Sequence, residues 1–147
     1  MTAYADSGVI AKLYVPEPNS PEAARLVSSY APPLALTHLQ ALEVRNALRL
    51  KVFRGEMTRA QLGRTLSRLA EDVRRGRWQL PRYALSDVYR EAEELWGKHA
   101  ASTRCRSLDI LHVAGATVLG VRDFLTFDAR QGKLARKARL RVLPATP

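Results

Sequence analysis

The chain has 147 residues, enough to bury a core of its own, and is expected to be one domain over 1–147. Hydrophobic residues make up 46%, which excludes a disordered chain, and Arg, Lys or Asp interrupts the apolar stretches well short of a bilayer-crossing length. With 24 Lys and Arg against 14 Asp and Glu, the formal charge of +10 favours polyanionic partners, although an acidic protein would exploit the same field. Arg richness set by genome base composition, merely solvating helices, is the competing explanation.

In chain order, AYA (3–5) is a short apolar run ending at Asp6-Ser7, and Ser7 is expected to cap a helix from about Val9. Pro16, Pro18 and Pro21 stop that helix and open a second over 22–30. LALT (34–37) is a second strand. Helical patterning runs over about 39–54, breaks at Gly55, and resumes after Thr58 until Gly76. RWQL (77–80) is a third strand, followed by a helix from about Ser86 to Ala101. Ser107 is expected to cap the next helix, which carries Ile110, Leu111, Val113, Ala114 and Val118 to a stop at Gly120. FLTF (124–127) is a strand, Asp128 caps a helix over 129–138, and LRVL (140–143) is the last strand. Strands alternating with helices imply a mostly parallel sheet covered on both faces.

Asp6 and Asp128 follow strands directly, Asp109 sits in the first turn of a helix, and Glu43 projects from the side of one. In open parallel sheets, sites form at the carboxyl ends of the strands. Four carboxylates gathered there repel unless a cation joins them, and Mg²⁺ or Mn²⁺ takes such oxygen ligands while keeping several waters. Each acid also has a plainer reading: a turn residue or helix-start acid at Asp6, Asp109 and Asp128, and a solvated partner of Arg45 or Arg49 at Glu43. Whether one or two ions would bind stays open.

The other candidates carry less. His38, His99 and His112 lack metal-ligand spacing, and His112, on an apolar helix, is expected to be packed and hydrogen-bonded. Cys105, the lone cysteine, can form neither an internal disulfide nor a zinc cluster; Arg104 and Arg106 beside it would lower its pKa, but with no His partner or nucleophile motif it reads as a structural or incidental thiol. Asp123 precedes a strand and reads as surface turn charge. No GxxxxGK[ST] or GxGxxG segment is present. Arg64, Arg68 and Arg75 and the pair Lys133 and Lys137 recur at helical spacing, as solvated faces do. Arg45, Arg49, Arg104, Arg106 and Arg130 lie close in sequence to the four acids, where they are RNA-binding candidates that would grip flanking phosphates. Without a basic start and apolar core after Met1, a cytoplasmic protein with no membrane partner is expected.

YADSGVIAKLY (4–14), ALEVRNAL (41–48), RSLDILHVAGATVLG (106–120) and DFLTFDARQGKLA (123–135) resemble, in order and spacing, the successive motifs of PIN-domain proteins. The VapC-type toxins of toxin–antitoxin pairs are the best match, over almost the whole chain. The resemblance implies a three-layer α/β/α sandwich around a mostly parallel sheet, with Mg²⁺- or Mn²⁺-dependent endoribonuclease activity. It also implies that Asp6, Glu43, Asp109 and Asp128 are the catalytic, metal-binding acids. Ser7 and Thr126 match the small hydroxyl residues that accompany the first and last acids, and Asn46, one turn beyond Glu43, is a weaker supporting candidate. A homodimer and inhibition by a cognate antitoxin are implied as well.

The rival readings are a non-catalytic basic module that binds nucleic acid and a DNA-directed nuclease of the same fold. An aspartate-nucleophile phosphatase fits less well, because that chemistry wants a second carboxylate where this chain has Gly8.

Overall fold

Five short strands alternate with seven helices in the computed structural model, which describes residues 1–144. The single domain expected over 1–147 thus includes residues 145–147, which lie outside the described residues. β1 (Ala3–Ala5) leads into α1 (Ser7–Lys12) and α2 (Ser20–Ser28). β2 (Leu34–Ala35) precedes the long helices α3 (His38–Phe53) and α4 (Arg59–Arg74). After β3 (Trp78–Gln79) come α5 (Leu85–Thr103), α6 (Ser107–Val118), β4 (Asp123–Leu125), α7 (Ala129–Lys137) and β5 (Arg141–Leu143).

β1, β4 and β5 form a parallel sheet in that spatial order, with Tyr4, Phe124 and Val142 in register. β2 and β3 pair in parallel, Leu34 opposite Trp78, and β2 packs beside β1. Alternation along the strands sends successive side chains to opposite faces. Tyr4, Phe124 and Val142 enter one core with Val88 and Leu95 of α5, Val113 of α6 and Leu134 of α7. Ala3, Ala5 and Leu125 enter the other with Ile10 of α1, Val27 of α2, Val44 and Leu48 of α3, Leu69 of α4 and Trp78. The sheet therefore lies between α1–α4 and α5–α7, the three-layer α/β/α arrangement expected. Among the described residues no helix is long and apolar enough to cross a membrane.

The caps explain where the elements begin, and several differ from expectation. The residue that caps α1 is Asp6, not Ser7: its carboxylate accepts the Val9 N–H at 2.7 Å, and Ser7 becomes the first helical residue. Likewise Arg106 occupies the cap position of α6, where the Asp109 carboxylate accepts the Arg106 backbone N–H at 3.0 Å, and Ser107 is already helical. α2 starts at Ser20, earlier than expected, because Asn19 makes a left-handed turn (φ 69°) and Pro21 is tolerated in a first turn. β2 ends at Ala35 because Thr37 is extended and caps α3 in a reciprocal capping box with Gln40. Asp128 caps α7 as expected, accepting the N–H groups of Arg130 and Gln131. Gly55, Gly76 and Gly120 close α3, α4 and α6 at φ 75°, 75° and 65°, a left-handed conformation that a Cβ disfavours.

Asp123 is not surface turn charge. Its side chain is 0% exposed and takes a bidentate grip from Arg141 on β5 (Nε 2.7 Å, Nη2 2.6 Å), with Tyr30 Oη donating at 2.8 Å. Parallel register sets Asp123 beside Arg141, and the β1 and β5 neighbours cover it. This ion pair closes the amino end of the sheet, opposite the acids.

Candidate active site

At the carboxyl end of the sheet, Asp6 follows β1 directly and Asp128 comes three residues after Leu125, the last residue of β4. The ladder runs on past the strands: Asp6 N–H donates to Leu125 C=O and Thr126 N–H to Leu143 C=O, each at 2.9 Å. This continuation brings Asp6 and Thr126 side by side. Glu43 arrives from α3 and Asp109 from the first turn of α6. The four carboxylates, with Ser7, Gly8, Lys12, His112, Phe127 and Gln131, line one cleft of about 380 Å³. A Cβ on Gly8 would stand 3.3 Å from Asp6 Oδ1, so the first turn of α1 is closely fitted to that carboxylate.

Two hydrogen-bonded groups hold the acids in place. In the first, Thr126 Oγ1 donates to Asp6 Oδ2 and accepts the Asp128 N–H at 2.9 Å, so one hydroxyl ties the first acid to the last. In the second, Glu43 Oε2 accepts from Ser7 Oγ at 2.8 Å and also bonds His112 Nε2. Asp109 Oδ1 meets Gln131 Nε2 at 3.5 Å, a long contact between α6 and α7. Ser7 thus bonds the Glu43 carboxylate rather than that of the first acid, and Thr126 bonds the carboxylate of Asp6.

Burial and neighbours treat the two better-shielded acids in opposite ways. Burial pushes the Asp6 carboxyl up, with Asp128 adding repulsion, and the Thr126 hydroxyl, the Val9 N–H and His112 only partly offset this. Burial also raises Glu43, but there His112 and the Ser7 hydroxyl outweigh it and hold the carboxyl below its usual range. A proton-poor Glu43 beside a more basic Asp6 is an asymmetric pair in one cleft.

The remaining sequence candidates fall outside this lining. Asn46 sits in an adjoining groove with Leu42, Ala47, Leu50 and Leu108, which shares Ser7, Gly8 and Glu43 with the cleft. Arg45, Arg49, Arg104, Arg106 and Arg130 are exposed, and none lines the cleft. Arg104 and Arg106 do not lower the Cys105 thiol: burial pushes it up, and Asp109 and Asp128 add to the effect. His112 is packed and hydrogen-bonded as expected, yet one of its two partners is one of the four acids. Helical spacing held the clue, since Asp109 and His112 lie three residues apart on one face of α6. Gln131 has the same relation to Asp128 on α7. Lys12, which reaches Glu17 at 3.0 Å and sits 5.9 Å over the Phe127 ring, was not legible as a cleft residue.

The donor set suits a hard divalent cation, although among the described residues no three His, Cys, Asp or Glu side chains converge tightly enough to hold one directly. Among the described residues Gln131 Oε1 is buried without a hydrogen-bond partner, an acceptor oxygen at an acidic cleft. Four carboxylates plus that carbonyl oxygen make an oxygen donor set, and hydration waters would bridge the gaps.

The sequence matches no protein-family model and no curated protein. Among solved structures, it is similar to a chain of FitAcB from Neisseria gonorrhoeae, with a TM-score of 0.68 over 96% of both chains. The fold is PIN-like. Identity over that span is 16%, so the likeness is one of architecture. Within the PIN-like fold the cleft occupies the carboxyl edge of the parallel sheet, the position favoured for sites in such sheets.

Proposed function

We propose that this chain is a metal-dependent endoribonuclease, the toxin of a toxin–antitoxin pair, acting on RNA in the cytoplasm with Mg²⁺ or Mn²⁺. The observation that carries this reading is the meeting of Asp6, Glu43, Asp109 and Asp128, distant in sequence, in one cleft of a basic PIN-like domain. The VapC-like motifs supply the toxin assignment, and with it a cognate antitoxin and a homodimer as partners.

In this reading the four carboxylates and the Gln131 carbonyl would hold the ion directly or through its waters. A divalent ion bound there supplies Lewis acidity, lowering the pKa of water and neutralising charge on the phosphate. Thr126 keeps Asp6 from rotating, and Ser7 and His112 do the same for Glu43. In this reading Lys12 at the cleft wall, paired with Glu17, would turn to a phosphate oxygen, uncovering the half-buried Phe127 ring for a base. Water attack on phosphorus, in line with the 3′ oxygen, breaks the P–O3′ bond and leaves 5′-phosphate and 3′-hydroxyl ends.

The test is cleavage of a mixed, end-labelled RNA pool by antitoxin-free protein in Mg²⁺, Mn²⁺ or EDTA, with Asp109→Asn alongside. The expected outcome is cutting that requires metal and drops at least a hundredfold in the variant, whose fold is kept because Asn can still accept the Arg106 N–H. Equal cutting by both proteins would sink the assignment.

One observation favours a second reading, a non-catalytic module that binds nucleic acid. Asp6, Asp109 and Asp128 each accept backbone N–H groups at a helix start, which is reason enough for their presence. That module would bind RNA in EDTA without cutting it. A DNA-directed nuclease would instead cut DNA under the same metal conditions, because carboxylates alone do not read a 2′-hydroxyl.

A further inference from the structure

His112 is 2% exposed on α6, where every other buried residue (Ile110, Val113, Ala114, Gly115 and Ala116) is apolar. An imidazole required only for filling would be more cheaply replaced by an aliphatic side chain, since burying a polar ring demands that both nitrogens be satisfied. Here both are. Nδ1 meets Tyr4 Oη at 2.9 Å and Nε2 meets Glu43 Oε2. Tyr4 is itself rigid: it is 1% exposed and stacks on Phe124 with ring centroids 5.6 Å apart and planes 5° from parallel.

Donor and acceptor rules give this chain a direction. The Glu43 carboxylate can only accept, so Nε2 carries the hydrogen; in the neutral imidazole Nδ1 is then the acceptor and the Tyr4 hydroxyl the donor. Both holds on Glu43, from His112 and from Ser7, fall on Oε2, and Oε1 takes no hydrogen bond from the described residues. We infer that His112, oriented by Tyr4, is a positioning residue that fixes the Glu43 carboxylate with Oε1 left for a divalent ion. The inference deepens the metal-dependent nuclease reading and rests on it for the ion, though not for the hydrogen-bond chain.

Two measurements test it. Long-range ¹H–¹⁵N spectra of the metal-free protein report the His112 tautomer: we expect hydrogen on Nε2 and a lone pair on Nδ1, with that preference lost in Tyr4→Phe. A proton on Nδ1 in the wild-type protein, or an unchanged tautomer in Tyr4→Phe, would overturn the chain. Mn²⁺ calorimetry then compares His112→Leu with His112→Gln, whose amide nitrogen can stand in for Nε2. We expect Mn²⁺ affinity and RNA cleavage to fall about tenfold or more in the first variant and to recover to within about threefold in the second. Equal affinity for the wild type and a folded His112→Leu, or no recovery in a folded His112→Gln, would overturn the positioning role. If the wild-type protein neither binds Mn²⁺ nor cuts RNA, the nuclease reading and its ion fail, while the tautomer still decides whether Tyr4 and His112 hold Glu43.

Discussion

Asp123 and Asp6 show how far position decides the behaviour of one residue type. Burial would raise the Asp123 carboxyl, but Arg141, Arg122 and Tyr30 outweigh it and hold the group at about 2, against an ordinary 3.8. Its folded-state pKa lies below the unfolded one, so the stabilisation is fully present above 3.8 and is lost as pH falls through about 2. Acid titration of the melting temperature should therefore show a fall across that window that Asp123→Asn lacks. At neutral pH the same substitution is expected to cost about 2 kcal/mol, read by urea unfolding, because it weakens charged hydrogen bonds to Arg141. Asp123 was misjudged from sequence because a charge before a strand resembles any turn acid. Burial by the parallel neighbours is what separates the two cases.

Helix starts do most of the positioning. α1, α6 and α7 all begin at the cleft, and their first turns hold Asp6, Asp109 and Asp128 close to exposed backbone N–H groups. α3 differs, because Glu43 lies a turn beyond its start and depends on the whole helix being docked. The docking is visible in Gln40, whose side chain closes the capping box with Thr37 and whose Nε2–H donates to Ala5 C=O at 2.6 Å. Thr37→Ala removes the hydroxyl that caps α3 and is expected to cost about 1 kcal/mol. For a domain of this size that lowers the melting temperature by about 3 °C, measurable by circular dichroism. Element order and type were legible from capping residues, prolines and glycines. Boundaries near Ser7 and Ser107 were not, because a neighbouring carboxylate competes with the serine hydroxyl for the same role.

The molecule as a whole sets an acidic cleft within a chain of formal charge +10. Exposed Arg45, Arg49, Arg104, Arg106 and Arg130 belong to that positive surround without entering the cleft. Such a field draws a polyanion in, and the cleft then repels its phosphates unless a cation is present. Two outcomes follow for RNA affinity, measured by fluorescence anisotropy with a cleavage-deficient Asp109→Asn protein. Raising NaCl from about 50 to about 200 mM should weaken binding at least about tenfold through counterion release. Neutralising Arg45 and Arg49 together should flatten that salt dependence, and an unchanged slope would remove both from the RNA path.

Pattern and composition were sufficient for the α/β class and the strand and helix order, because period-2 and helical spacing, caps and breakers act over a few residues and are written locally. The pairing of Asp123 with Arg141, the buried link from Tyr4 through His112 to Glu43, and the orphaned Gln131 carbonyl join residues 18 to 108 positions apart or depend on what surrounds one atom. No local rule encodes those contacts. They arise when parallel pairing sets β4 beside β1 and β5, and two helical layers close over the sheet, so hydrogen-bond partners and dielectric are properties of the packed chain.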